Sequence, residues 1–138
     1  MNTPDLIKQA LQARNFAYAP YSHFAVGAAL VTEDNKVFTG CNIENSTFTP
    51  SNCAERTAFF KAISEGNKKF KSIVVVGDFE GKPVKQLCPP CGVCRQVMME
   101  FCDPETFDII VANSNGETQM FKLKELLPFG FGPSNLNI

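Results

Sequence analysis

The sequence predicts a layered α/β domain in which helices cover the faces of a mixed β-sheet. Two strand-like segments separated by a turn lie in the N-terminal third, two buried strand patterns follow later, and segments with helical periodicity alternate with these. A hairpin gives antiparallel pairing and alternating strands and helices give parallel pairing, so the sheet should contain both. The length and the 44% hydrophobic content suit a single domain over residues 1–138 with its own core.

Periodicity and turn residues predict each element in turn. In chain order these are a helix over 5–18, strands over 24–33 and 36–42, a helix over 53–66, a strand over 71–77, a helix over 91–101, strands over 107–112 and 117–121, and a short helix over 122–127. Pro20 should end the first helix, Asp34-Asn35 suits a hairpin turn, and Gly66 is typical of a helix C-terminus. The strand over 71–77 is nearly all β-branched, which predicts burial on both faces.

Charge and cysteine content restrict the class of function. The net charge is −1 and no segment is strongly basic, so nucleic acid is a poor candidate partner and a small-molecule ligand is favoured. Neither a leader segment nor a membrane-spanning apolar run is recognised, so we expect a cytoplasmic protein without a membrane partner. The six cysteines should then be thiols that are buried or bind metal.

Two cysteine-containing segments lie at predicted helix starts. Cys53-Ala54-Glu55 follows a polar loop, and Cys91-Gly92-Val93-Cys94 follows a proline-rich turn. Side chains of a first turn lean toward the helix N-terminus, where the partial positive charge favours thiolates. Three thiolates from Cys53, Cys91 and Cys94 would leave one position open on a zinc ion, as in a catalytic site.

Two charged residues adjoin the first of these cysteines. Glu55 can reach the same point as Cys53 because both belong to a helix start, and its carboxylate could transfer protons. Arg56 follows directly and could offset the charge of the thiolates. Without the cysteines, Glu55 would be interpreted as an ordinary first-turn acid.

Other interpretations of the cysteines stay open. Cys88 and Cys91 have the spacing of half a structural zinc knuckle, although no second pair is present, or of a redox pair, which would leave Cys94 without a role. Cys41 and Cys102 suit small buried side chains, as does Cys88. A non-catalytic zinc-stabilised binding domain would need Cys88 as a fourth ligand.

The joint pattern Cys-Ala-Glu and Pro-Cys-x-x-Cys resembles the signature of zinc-dependent deaminases, and with cysteine at its first position it is similar to the free-nucleoside cytidine deaminase family. The resemblance covers nearly the whole chain, through residues 20–24, 26–30, 40–45, 53–58, 90–96, 126–128 and 131–133. It implies a three-layer α/β/α fold with a five-stranded mixed sheet, one Zn²⁺ per subunit, and hydrolytic deamination of cytidine and 2′-deoxycytidine in pyrimidine salvage.

The resemblance also implies a substrate site. Glu55 would carry protons between water, N3 of the pyrimidine and the departing amine. Asn42 and Glu44 would bind the ribose 3′-hydroxyl, Phe24 would stack on the pyrimidine ring, and Ala54 would contact the substrate. Without the zinc motif, Asn42, Glu44 and Phe24 would be interpreted as a turn asparagine, a surface glutamate and a core phenylalanine. We assign no role to His23, the only histidine.

The resemblance further implies a homotetramer in which neighbouring subunits share active sites. Phe48 and Phe131 correspond to positions that reach across to a neighbour, and both would otherwise be local packing residues. A related deaminase of blasticidin-type antibiotics or of RNA bases is the alternative enzyme. The near-neutral charge disfavours RNA, and the pair of Asn42 and Glu44 favours a free nucleoside.

Overall fold

The computed structural model describes residues 2–138 and contains one five-stranded mixed sheet. In chain order the elements are α1 (Thr3–Arg14), β1 (Phe24–Thr32), β2 (Val37–Cys41), α2 (Ala54–Ser64), β3 (Phe70–Phe79), α3 (Gly92–Phe101), β4 (Asp108–Ala112), β5 (Thr118–Lys122), α4 (Leu123–Leu126) and a 3₁₀ turn (Pro133–Leu136). None of the helices within residues 2–138 has the length and apolar character needed to cross a membrane.

The strands lie in the order β2-β1-β3-β4-β5. β1 pairs antiparallel with both β2 and β3, β3 pairs parallel with β4, and β4 pairs antiparallel with β5. The hairpin and the parallel pair therefore belong to one sheet, and the predicted mixed sheet is confirmed. The run of buried residues in β3 also confirms the prediction of a strand covered on both faces.

Helices cover both faces of the sheet, which gives the three layers. On one face, Leu6, Ile7 and Ala10 of α1 pack with alternate residues of β1 and β3. On the other face, residues of α2 and α3 such as Phe59 and Met98 pack with the remaining alternate residues. The two-residue repeat of a strand thus divides its side chains between two cores.

Two glycines let helix backbones contact the sheet closely. A Cβ atom on Gly27 of β1 would lie 2.0 Å from the carbonyl oxygen of Ala10 in α1. A Cβ atom on Gly40 of β2 would lie 2.4 Å from the carbonyl oxygen of Ala54, the first residue of α2. The second contact fixes the N-terminus of α2 beside the end of β2.

The first helix ends earlier than the sequence predicts, at Arg14 and not near Pro20. Tyr18 donates its backbone N–H to the carbonyl of Asn42 and accepts from the N–H of Glu44, so the chain is already extended there. The Arg14 side chain donates to four backbone carbonyls in β1 and in residues 78–82. These partners are distant in sequence, and helical periodicity carries no information about them.

Candidate active site and metal centre

Three cysteine sulfurs meet where the N-termini of two helices converge. Cys53 directly precedes α2 and Cys91 directly precedes α3, both with extended backbone, and Cys94 lies in the first turn of α3. The Sγ atoms of Cys53 and Cys91 are 3.6 Å apart, and those of Cys91 and Cys94 are 3.5 Å apart. All three sulfurs lie within 4.8 Å of one another. We call these residues the sulfur cluster.

The surroundings of the sulfur cluster favour negative charge. The hydrogen bond shared with Cys94 and the guanidinium of Arg56 outweigh burial and lower the pKa of Cys53 to about 5. The same hydrogen bond and burial raise the pKa of Cys94, the partner that keeps its proton. Arg56 donates to the Cys53 sulfur over 3.3 Å, and its Nε is buried without a partner. The N-termini of α2 and α3 add positive potential.

The donor set fits zinc. Tetrahedral zinc with Zn–S bonds of about 2.3 Å places its sulfurs roughly 3.8 Å apart, close to the separations of 3.5 and 3.6 Å found here. Within residues 2–138, no other group of cysteine, histidine or acidic side chains is gathered closely enough to hold a metal ion. Cys88 is outside the sulfur cluster, and its sulfur lies against Gly77 of β3. The cluster therefore offers three protein ligands and leaves one position for another molecule.

A cavity of about 360 Å³ opens beside the sulfur cluster. Its lining includes Cys53, Cys91 and six further residues singled out from the sequence: Phe24, Asn42, Glu44, Ala54, Glu55 and Arg56. The volume is in the range of small-molecule sites. The fold thus brings the sequence-predicted metal, acid–base and sugar residues to one cavity.

Glu55 is the buried carboxyl group of this cavity. It is the second residue of α2 and only 4% of its surface is exposed. Burial raises the pKa of Glu55 to about 7, and negative charge on Cys53 adds to the effect. A divalent cation bound by the neighbouring sulfurs would lower that pKa again. A buried carboxyl group whose pKa responds in this way to the charge beside it is suited to proton transfer.

The side-chain amide of Asn42 is fixed to the backbone of β1. Its Nδ2 donates to the carbonyl of Phe24 over 2.8 Å, and its Oδ1 accepts the N–H of Val26 over 2.9 Å. Asn42 directly follows β2, so its amide continues the bonding to β1 where the backbone ladder ends. Two bonds set the direction in which the remaining N–H and lone pair point.

The carboxylate of Glu44 accepts three hydrogen bonds from residues 21 and 22. Tyr21 N and Ser22 N donate to Oε1 over 3.0 and 3.1 Å, and Ser22 Oγ donates to Oε2 over 2.5 Å. Burial raises the pKa of Glu44, but these hydrogen bonds leave it below its usual value. Glu44 is therefore an anion at neutral pH.

The aromatic residues proposed from the sequence fall into two groups. Phe24 is half-buried in the cavity wall, where its ring meets that of Phe79 edge to face with 5.3 Å between centroids. Phe48 and Phe131 do not line the cavity within this chain and are 68% and 58% exposed. His23 is exposed with φ +58° and does not line the cavity either.

The sequence did not point to Ser22 and Asn52, which both line the cavity. Ser22 hydrogen-bonds Glu44, and Asn52 Nδ2 donates to Thr57 Oγ1 of α2 over 3.1 Å, next to the metal-binding end of that helix. The available signal for Ser22 was its place in the segment 20–24, which carries part of the family resemblance.

Known proteins resemble this chain over nearly its full length. The family model described as "Cytidine and deoxycytidylate deaminase zinc-binding region" matches residues 2–109. A cytidine deaminase of Sporosarcina psychrophila is 47% identical over 99% of this chain and 96% of its own length. One of Halalkalibacterium halodurans is 47% identical over 99% of both chains. The crystal structure of cytidine deaminase from Burkholderia pseudomallei superposes with a TM-score of 0.85 at 47% identity and covers 95% of this chain and 100% of that one.

Proposed function

Because this chain belongs to the cytidine and deoxycytidylate deaminase family, we infer that it is an enzyme that hydrolyses cytidine and 2′-deoxycytidine to uridine and 2′-deoxyuridine, with release of ammonia. The observation that carries this function is the meeting of the sulfur cluster, the buried Glu55 and the pair of Asn42 and Glu44 in one cavity. Cleavage of the C–N bond of a cyclic amidine fits a role in pyrimidine salvage.

Zinc is the cofactor, with one ion per chain held by Cys53, Cys91 and Cys94. When bound, zinc lowers the pKa of a water molecule toward neutrality and so provides a nucleophile for C4 of the pyrimidine. Arg56 balances part of the thiolate charge through its contact with Cys53. A site with less negative charge binds the ion less tightly but leaves it a stronger Lewis acid.

Proton transfer is assigned to Glu55. Its carboxylate takes a proton from the attacking water and delivers it to N3 of the ring. A second proton then passes through the same carboxyl to the amino group at C4, which leaves as ammonia while the oxygen stays as a carbonyl. The burial of Glu55 excludes bulk water from these transfers.

The remaining residues of the cavity lining bind the nucleoside. Phe24 stacks on the pyrimidine, Ala54 contacts it between Cys53 and Glu55, and Asn42 and Glu44 bind the 3′-hydroxyl of the sugar. Support comes from their common location in the cavity and from the hydrogen bonds that hold both polar side chains in place. A charged Glu44 would reject a 3′-phosphate, which restricts the substrate to free nucleosides or 5′-substituted ones.

A homotetramer is the proposed assembly. Phe48, Phe129 and Phe131 all expose more than half of their surface, and contacts between subunits would cover this apolar area. In the assembly, Phe48 and Phe131 would complete the cavities of neighbouring subunits. Sedimentation equilibrium should give four times the chain mass, and a monomer with full activity would contradict this assembly.

The cytoplasm is the proposed compartment, because the sulfur cluster needs reduced cysteines. All six cysteines are free thiols in the structure. A reducing environment keeps such thiols available to a metal ion.

The decisive experiment follows ultraviolet absorbance with purified protein and four compounds. Cytidine and 2′-deoxycytidine should be consumed with release of ammonia, whereas free cytosine and blasticidin should not. A zinc chelator should abolish turnover, and added zinc should restore it. Turnover of blasticidin alone would favour the antibiotic-directed alternative, and no turnover at one bound zinc per chain would favour a non-catalytic binding domain.

A further inference from the structure

We propose that Ser22 is a positioning residue for the sugar of the substrate, acting through the carboxylate of Glu44. This inference rests on the proposed function, because it assigns Ser22 to the same nucleoside site. Ser22 lies in the loop before β1 and lines the cavity together with Glu44. The two residues are 22 positions apart in sequence.

The hydroxyl group of Ser22 makes one hydrogen bond as an acceptor and one as a donor. Its oxygen accepts the backbone N–H of Phe24 over 3.0 Å. The hydroxyl donates its hydrogen bond to Oε2 of Glu44, since the two oxygen atoms are 2.5 Å apart and Glu44 is ionised. A hydroxyl has a single proton, so the bond from Phe24 leaves Ser22 oriented as the donor to Glu44.

This arrangement leaves the carboxylate of Glu44 with one free position for accepting a hydrogen bond. A carboxylate has about four acceptor positions, and Tyr21 N, Ser22 N and Ser22 Oγ occupy three of them. The position that stays free belongs to Oε2, the oxygen bound by Ser22. Ser22 therefore fixes the direction from which Glu44 can accept a hydrogen bond from a sugar hydroxyl.

Ser22 also connects the sugar residue to the ring residue. It contacts Glu44 through its proton and Phe24 through its oxygen. Asn42 makes a parallel connection by bonding the carbonyl of Phe24. Both sugar-binding side chains are thus fastened to the residue that faces the pyrimidine, which sets the spacing between the sugar and ring positions.

The test compares Ser22→Ala on cytidine and on 3′-deoxycytidine. Loss of one charge-assisted hydrogen bond should lower kcat/KM for cytidine by about tenfold, mainly through KM. For 3′-deoxycytidine, which lacks the hydroxyl that Glu44 binds, kcat/KM should change by less than about twofold, because Ser22 then has nothing to position. Where turnover of that compound is too slow, its inhibition constant against cytidine supplies the same ratio.

Two further variants separate positioning from folding. Ser22→Thr keeps the hydroxyl and should restore most of the activity, whereas Ser22→Cys keeps the shape with a weak donor and should behave like Ser22→Ala. Ser114→Ala is the matched control. It removes a similar bond, 2.8 Å from Val84 N to Ser114 Oγ, outside the cavity, and should leave kcat/KM unchanged on both compounds.

The outcomes distinguish the inference from the function on which it rests. Equal losses on both compounds, or no loss on either, would overturn the role of Ser22 while wild-type turnover upholds the deaminase. Wild-type protein that carries zinc and deaminates neither compound would instead overturn the proposed function. If Ser22→Ala does not fold, the same comparison between Ser22→Cys and Ser22→Thr decides the matter.

Discussion

The cavity has one wall at the sulfur cluster, called the metal wall, and another at Asn42 and Glu44, and the charges on the two walls are balanced in different ways. On the metal wall, which Cys53 and Cys91 line with Cys94 next to them, helix N-termini and Arg56 offset the charge of the thiol groups only in part, so a cation is needed to complete the balance. On the wall that we propose binds the sugar, called the sugar wall, the carboxylate of Glu44 already accepts three hydrogen bonds from N–H and O–H groups of the chain itself. Changes to the first wall should therefore act on metal content and chemistry, and changes to the second on stability and substrate affinity.

The largest effect is expected from Cys53→Ala. The variant removes the sulfur that Arg56 contacts and leaves two ligands, so zinc should be lost and kcat/KM should fall at least about a thousandfold. Metal analysis and the absorbance assay measure the two losses. Cys41→Ala, at the end of β2 and outside the sulfur cluster, is the control that should keep both. Full zinc retention in Cys53→Ala would disprove its role as a ligand.

Glu55→Gln should lower kcat by about a thousandfold to ten-thousandfold while zinc stays bound, since the amide keeps the shape but cannot carry protons. The buried position should tolerate the neutral amide without loss of stability, because burial penalises the ionised carboxylate and not a neutral side chain. Single-turnover kinetics and zinc content at the same pH provide the measurement. Turnover close to wild type would refute proton transfer by Glu55.

On the sugar wall, Asn42→Ala should reduce the free energy of unfolding by about 2–3 kcal/mol, because the carbonyl of Phe24 and the N–H of Val26 both lose a partner. Zinc content should not change. Urea denaturation measures the loss. Asn42→Asp keeps only the acceptor, so its free energy of unfolding should lie between those of the wild type and Asn42→Ala. Unchanged stability would mean that this wall does not depend on its own hydrogen bonds.

The smallest effect is expected from Cys88→Ala. Cys88 lines the cavity, but its sulfur is outside the sulfur cluster, and burial raises its pKa to about 11. The variant should retain one zinc per chain and lose about 1 kcal/mol of stability or less. Equilibrium dialysis with zinc and thermal unfolding test this. Loss of the metal would make Cys88 a fourth ligand and would remove the distinction between the walls.

The same contrast explains how far the sequence could predict this molecule. The metal wall follows from two short segments in which ligands and helix starts are neighbours, so Cys53, Cys91 and Cys94 could be selected from six cysteines. The strands and the mixed sheet follow from local patterns in the same way. The bonds of Asn42 and Glu44 form only when residues 18–24 lie beside 42–44, a contact that no local pattern encodes. The early end of α1 has the same cause.

The sulfur cluster joins parts of the chain that are distant in sequence. Cys53 and Cys91 are separated by 38 residues, and the segment between them contains α2 and the central strand β3. A metal ion bound to both closes this segment into a loop, which removes conformational freedom worth about 3–4 kcal/mol from the unfolded chain for a loop of 38 residues. The ion therefore acts as a reversible cross-link. It stabilises the folded chain against unfolding as a disulfide would, but the thiols are not oxidised.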